Sequence, residues 1–156
     1  MRHDTTAESL EITRTFDAPA ALLFALWSQP AHFRRWMGPS GFDCAAAEID
    51  FRVGGRYRAM IRSPEQGENW FGGVYLAIEP HRLLSFTFVW ENDGPSAGIE
   101  TVVTLTFEER EGKTLQTFRQ SPFLDAERRD SHAAGWTSVF DRQAHYAATL
   151  TREMEP

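Results

Sequence analysis

Near Ser121-Pro122 the period of the apolar residues changes for the last segment of the chain, and that change constrains the fold more than any other feature. From Phe42 to Phe118 β segments recur with turn signals between them, and the clearest alternate at the period of two that a pleated strand requires, because successive side chains point to opposite faces. In the stretch Leu83 to Trp90, residues Leu84, Phe86, Phe88 and Trp90 share one face, and Leu83, Ser85, Thr87 and Val89 the other. Val103, Leu105 and Phe107 alternate in the same way against Val102, Thr104 and Thr106. Turn signals separate these runs at Val53-Gly54-Gly55, Ser63-Pro64-Glu65-Gln66-Gly67, Glu79-Pro80-His81, Asn92-Asp93-Gly94-Pro95 and Glu111-Gly112-Lys113. The pattern is that of an antiparallel meander. After the change, Trp136, Val139, Phe140, Gln143, Ala147 and Leu150 follow spacings of three and four, which predicts a helix from a cap at Asp125 to about Arg152. At ~1.5 Å per residue such a helix is about 40 Å long and crosses a whole small sheet.

The first part of the chain supplies one more strand and two short helices. Leu10 to Phe16 alternates as a half-buried strand, with Leu10, Ile12 and Phe16 on one face. Asp17 near the cap and Pro19 in the first turn announce a short helix through Leu22, Leu23, Phe24, Leu26 and Trp27, broken at Gln29-Pro30. A second short helix carries Phe33, Trp36 and Met37, and Gly38-Pro39-Ser40-Gly41 is a loop. This order places the chain in the α+β class. A sheet with a single helix across it must curve, and Gly54-Gly55 and Gly72-Gly73 are where its strands can bend. No repeat or linker divides the sequence, so residues 10–152 read as one domain preceded by a polar extension, residues 1–9.

Charge and cysteine usage narrow the function. The net charge of -6, with basic residues scattered, argues against direct nucleic-acid binding, whose affinity comes largely from phosphate contacts. The single Cys44 has no partner for an internal disulfide and lies beside no cationic residue that would activate it. His3, His32, His81, His132 and His145 stand at no metal-ligand spacing, so neither metal nor cofactor is expected. The start of the chain lacks a signal-peptide core, and no apolar run approaches the ~20 residues that span a bilayer. A cytoplasmic location without membrane insertion is the expectation.

Several segments together carry a family resemblance: Pro19 with Phe24 and Trp27, Pro30, Trp36-Met37-Gly38-Pro39, the run Asp50-Phe51-Arg52-Val53-Gly54-Gly55-Arg56-Tyr57, and Gly135-Trp136. From about Ile12 to Leu150 the chain resembles the family named after the C-terminal domain of the activator of Hsp90 ATPase, within the START-like superfamily of helix-grip proteins. The resemblance implies a helix-grip fold, a curved antiparallel sheet wrapped around a long C-terminal helix, with a cavity between them of the kind that holds hydrophobic ligands across the superfamily. A homodimer is likewise a superfamily-level expectation. The namesake activator has a further N-terminal domain that engages the chaperone; nothing here corresponds to it, and Hsp90 stimulation is not expected.

The aromatic content, with five Trp and twelve Phe, fits a cavity, because bulky planar groups around a curved sheet leave gaps more readily than aliphatic ones. The expected pocket residues are Trp36, Met60, Trp70, Phe88, Trp90, Phe118, His132, Trp136 and Phe140. Large aromatics at this periodicity serve equally well as plain core. His132, one turn before Trp136, either places an imidazole at the pocket mouth or is a solvated surface histidine. Gly135 in mid-helix costs about 1 kcal/mol relative to alanine and implies a close approach by a strand or loop. The leading reading is a carrier or sensor of a small hydrophobic molecule. A second is a cyclase, dehydratase or lyase using His132, Glu48 and Asp50 on a carbonyl compound; Asp50 has the competing role of anchoring the Gly54-Gly55 bend, with Arg56 or Arg58 as ion-pair partners. A third is an interaction module that pairs with a chaperone or a transcription regulator.

Overall fold

The computed structural model describes residues 8–91 and 97–153. The chain forms seven strands among the described residues: β1 (Leu10–Phe16), β2 (Asp43–Ile49), β3 (Arg56–Ser63), β4 (Gly67–Glu79), β5 (Leu83–Trp90), β6 (Thr101–Arg110) and β7 (Lys113–Ser121). Helices α1 (Ala20–Ser28) and α2 (Pro30–Trp36) follow β1, and α3 (Ala126–Glu153) ends the described chain. The strands form one antiparallel sheet in the order β1-β7-β6-β5-β4-β3-β2, so the first strand returns beside the last and the meander runs between them. The sheet curves around α3 as a helix-grip fold. The turn signal at Asn92-Asp93-Gly94-Pro95 lies outside the described residues.

Register explains the curvature. Gly72 and Gly73 sit in β4 where a Cβ would come within 2.5 Å of the Tyr57 carbonyl and 2.0 Å of the Thr87 carbonyl, so neighbouring backbones close in as only glycine permits. The register between β4 and β5 slips between Tyr75 and Ala77, a bulge that adds to the bend. Gly54, at φ 85°, turns the chain from β2 into β3.

Asp125 caps α3 by accepting the Arg128 backbone N–H at 2.8 Å. Asp17 does not cap α1. The cap position is Pro19, and the Ala20 N–H is instead accepted by Glu109 Oε1 of β6 at 2.9 Å, while Thr114 of β7 donates to the Ala18 carbonyl at 2.7 Å. Sheet residues distant in sequence therefore fix where α1 begins.

Trp136, Val139, Phe140, Gln143 and Ala147 form the buried face of α3. Two polar relays cross the interface between this face and the sheet. In one, Trp27 Nε1 donates to Gln116 Oε1 at 3.1 Å, and Gln116 Nε2 donates to Gln143 Oε1 at 3.2 Å. In the other, Trp136 Nε1 donates to Gln120 Oε1 at 2.9 Å, Gln120 Nε2 to Thr101 Oγ1 at 2.9 Å, and Thr101 Oγ1 to the Phe88 carbonyl at 3.2 Å. An indole N–H can only donate, so each relay has one direction and each amide one orientation. Gln143 Nε2, at the end of the first relay, has no partner. Replacing Gln116 with leucine orphans two buried groups, whereas Gln143→Leu orphans one and removes another. Because each buried orphan costs about 1–3 kcal/mol, Gln116→Leu should be the less stable variant by at least about 1 kcal/mol in chemical denaturation. Equal losses would show that the relay does not act as a directed chain.

Candidate functional site

At one end of the interface the sheet and helix part to leave a cavity of about 540 Å³. Ile61, Phe71, Phe88 and Trp90 line it from the sheet, and His132, Gly135, Trp136 and Val139 from α3. The loop from Met37 to Phe42 forms a third wall, while Gln66 and Asn69 of the β3–β4 hairpin join Glu127, Arg128 and Ser131 at a polar end. A second, far smaller void of about 10 Å³, bordered by Trp27, Tyr57, Phe86 and Trp136, holds no more than about one water.

Each wall is held by identifiable contacts. The Trp136 indole is aimed by Gln120 and backed by Phe118 and Phe140, with ring centroids 4.7 and 5.6 Å away. Phe88 stacks on Phe71 at 5.0 Å and meets Trp90 edge-on at 5.3 Å, as the ring quadrupoles favour. The loop is fastened to α3 rather than to the sheet. Arg142 Nη1 donates to the carbonyls of Gly38 at 2.6 Å and Phe42 at 2.9 Å, and the Ser40 N–H donates to Ser138 Oγ at 2.8 Å.

His132 is half-buried, with both ring nitrogens engaged. Nδ1 donates to the Arg128 carbonyl at 2.8 Å, and Nε2 accepts the Trp90 indole N–H at 3.0 Å. A carbonyl only accepts and an indole only donates, so the imidazole is neutral with its proton on Nδ1. Burial pushes its pKa below the ordinary 6.5, opposed by the hydrogen bond to the Arg128 carbonyl.

The expected pocket residues divide by position. Phe88, Trp90, His132 and Trp136 line the cavity, while Phe118 and Phe140 stand behind Trp136. Trp36 is wholly buried elsewhere, 4.8 Å from Trp27, and donates to the Leu26 carbonyl. Met60 and Trp70 are corrected outright. They face each other in register, and since Ala59 and Ile61 belong to the core, strand alternation turns Met60 and Trp70 to the outer face. There Arg58, held by Glu91 at 2.8 and 2.9 Å, lies 3.9 Å over the Trp70 ring. Glu48 and Asp50 are exposed and line no part of the cavity, and Asp50 pairs with Arg52 rather than with Arg56 or Arg58. The acid–base set proposed for a lyase is thereby reduced to His132. Gly135 is also corrected: no strand or loop presses on it, since a Cβ would meet only Pro39 Cγ at 3.9 Å. Sequence reasoning missed Arg128, Ser131, Gln66 and Asn69, polar residues with no local signal for a pocket; the mid-helix glycine was the one hint of the open wall. Cys44 is buried, donates to the Ala46 carbonyl and has its pKa raised by burial, as befits an unreactive thiol. Among the described residues no group of three or more His, Cys, Asp or Glu stands ready for a metal, and no helix is long and apolar enough to cross a membrane.

Gly135→Ala should raise stability by about 1 kcal/mol, because the helix gains propensity and the new methyl meets no clash. A fall in thermal midpoint would contradict the open wall. The depressed pKa of His132 means that the unfolded chain binds the extra proton first, so stability should be complete above about pH 6.5 and be lost as pH falls below it. Gln at position 132 can still accept the indole N–H, and His132→Gln should flatten this part of the stability profile; an unchanged profile would assign the titration elsewhere.

A family model described as Activator of Hsp90 ATPase homolog 1-like protein matches residues 17–148. Among solved structures, the AHSA1 protein from Silicibacter pomeroyi is similar at 27% identity, with a TM-score of 0.79 over 93% of this chain and 99% of that one. A protein from Rhodobacter sphaeroides, at 24% identity, superposes with a TM-score of 0.79 over 99% of both chains, and one from Chromobacterium violaceum, at 23%, with 0.77 over 90% and 96%. A search of curated proteins finds no match. The family match covers most of the chain, and the similar structures superpose on nearly its whole length: the chain belongs to the Activator of Hsp90 ATPase homolog 1-like family.

Proposed function

We propose that the protein binds a small, largely planar apolar molecule in the cavity between sheet and α3, as a cytoplasmic carrier or sensor. The observation that carries this reading is the cavity itself: about 540 Å³ walled by Phe71, Phe88, Trp90 and Trp136. Polar groups at one end supply orientation. Catalysis is not favoured, because His132 already uses both ring nitrogens within the protein and Glu48 and Asp50 stand outside.

The uncharged dye phenylnaphthylamine tests the reading. Its fluorescence should rise saturably on titration, with one dye per chain. Gly135→Leu places a branched side chain in the open space beside Pro39 and should abolish uptake while the thermal midpoint stays within a few degrees of the parent's. Absence of saturable uptake by the parent chain, or uptake indifferent to this substitution, would overturn the proposal.

A further inference from the structure

We infer that the ligand is amphiphilic: an organic acid whose apolar body rests on Phe88, Trp90 and Trp136 and whose carboxylate is taken by Arg128. This deepens the ligand-binding reading above and rests on it. A purely apolar molecule leaves the polar end of the cavity without a purpose, and among the described residues that line the cavity Arg128 is the one arginine or lysine.

The backbone of Arg128 is committed, its N–H to Asp125 and its carbonyl to His132. Its guanidinium holds only long ion pairs. Nη1 lies 3.9 Å from Asp125 Oδ1 and 3.7 Å from Glu127 Oε1, beyond hydrogen-bond reach in both cases, and Nε is buried with no partner. A half-enclosed arginine whose Nε is buried without a partner, and whose Nη1 has only long ion pairs, has a donor to offer an acceptor, since buried donors are nearly always paired. Ligand entry makes the need greater. An apolar molecule displaces water from the cavity and leaves the guanidinium drier, whereas a carboxylate meets its fork with two parallel charge-assisted hydrogen bonds.

The neighbouring charges do not cancel this preference. The Arg128 side chain is 28% exposed, whereas those of Asp125 and Glu127 are 52% and 86% exposed, so water screens these carboxylates, including Glu127 at the cavity edge, more than the cation. His132 adds no charge, being neutral in its hydrogen bonds to Trp90 and Arg128. Ser131 lies at the same end and offers a hydroxyl to the same head group.

Two dyes of one skeleton separate the head group from the body: anilinonaphthalene sulfonate and phenylnaphthylamine, the same molecule without its anion. The sulfonate stands in for the carboxylate. The parent chain should bind the anionic dye at least about tenfold more tightly than the neutral one, the size expected of one charge-assisted contact. Arg128→Gln should remove that advantage by weakening the anionic dye more than the neutral one, and Glu127→Gln should preserve or enlarge it. Equal affinity of the parent for both dyes overturns the anionic head group and leaves the cavity reading intact. A persistent advantage in Arg128→Gln overturns the assignment to Arg128. If Arg128→Gln fails to fold, loss of the parent's preference in raised salt supports the charge contact and a salt-independent preference overturns it. Failure of the neutral dye to bind the parent sinks the ligand-binding reading itself.

Discussion

Four tryptophans in the interior each carry an N–H that can only donate, and the interior is arranged around finding it an acceptor. Trp27 and Trp136 reach glutamines of β7, Trp36 reaches the backbone of α1, and Trp90 reaches His132 on α3. Three of these four bonds join a helix to the sheet. Since a buried unpaired donor costs about 1–3 kcal/mol, they select the placement of α3 over the sheet more sharply than hydrophobic contact, which has no direction. The aromatic rings supply the bulk of the burial; their nitrogens supply the register.

The cavity follows from the same constraint. Trp136 is held upright by Gln120 and Trp90 by His132, so neither indole is free to swing into the space between them. A core of leucine and valine at these positions would have collapsed to fill it, because aliphatic side chains carry no fixed partner. The space persists because its walls are tethered from behind.

Much of the architecture was legible from periodicity alone: the strand faces of β5 and β6, the buried stripe of α3 and its cap at Asp125 follow from spacing and side-chain chemistry. What escaped depends on tertiary partners. Asp17 was a reasonable cap for α1, but the Ala20 N–H found Glu109 across the sheet, a pairing with no local signal. Trp70 and Phe71 are adjacent and both aromatic, so sequence could not say which of them faced inward; the register against Met60 and the core positions of β3 decided it. The polar end of the cavity was the least legible part, since Arg128 and Ser131 read as solvated helix residues until the hairpin carrying Asn69 is placed opposite them.

The loop from Met37 to Phe42 rides on α3 through Arg142 and Ser138. One helix thus carries two of the cavity's walls, its own and the loop's, together with the charged end, while the sheet contributes a fixed aromatic floor. Natural variation in what such a chain accommodates can then arise from substitutions along a single stretch of α3 and the loop it holds, with strand pairing untouched. Recognition and foldability are carried by separable parts of the sequence, which lets one drift while the other is conserved.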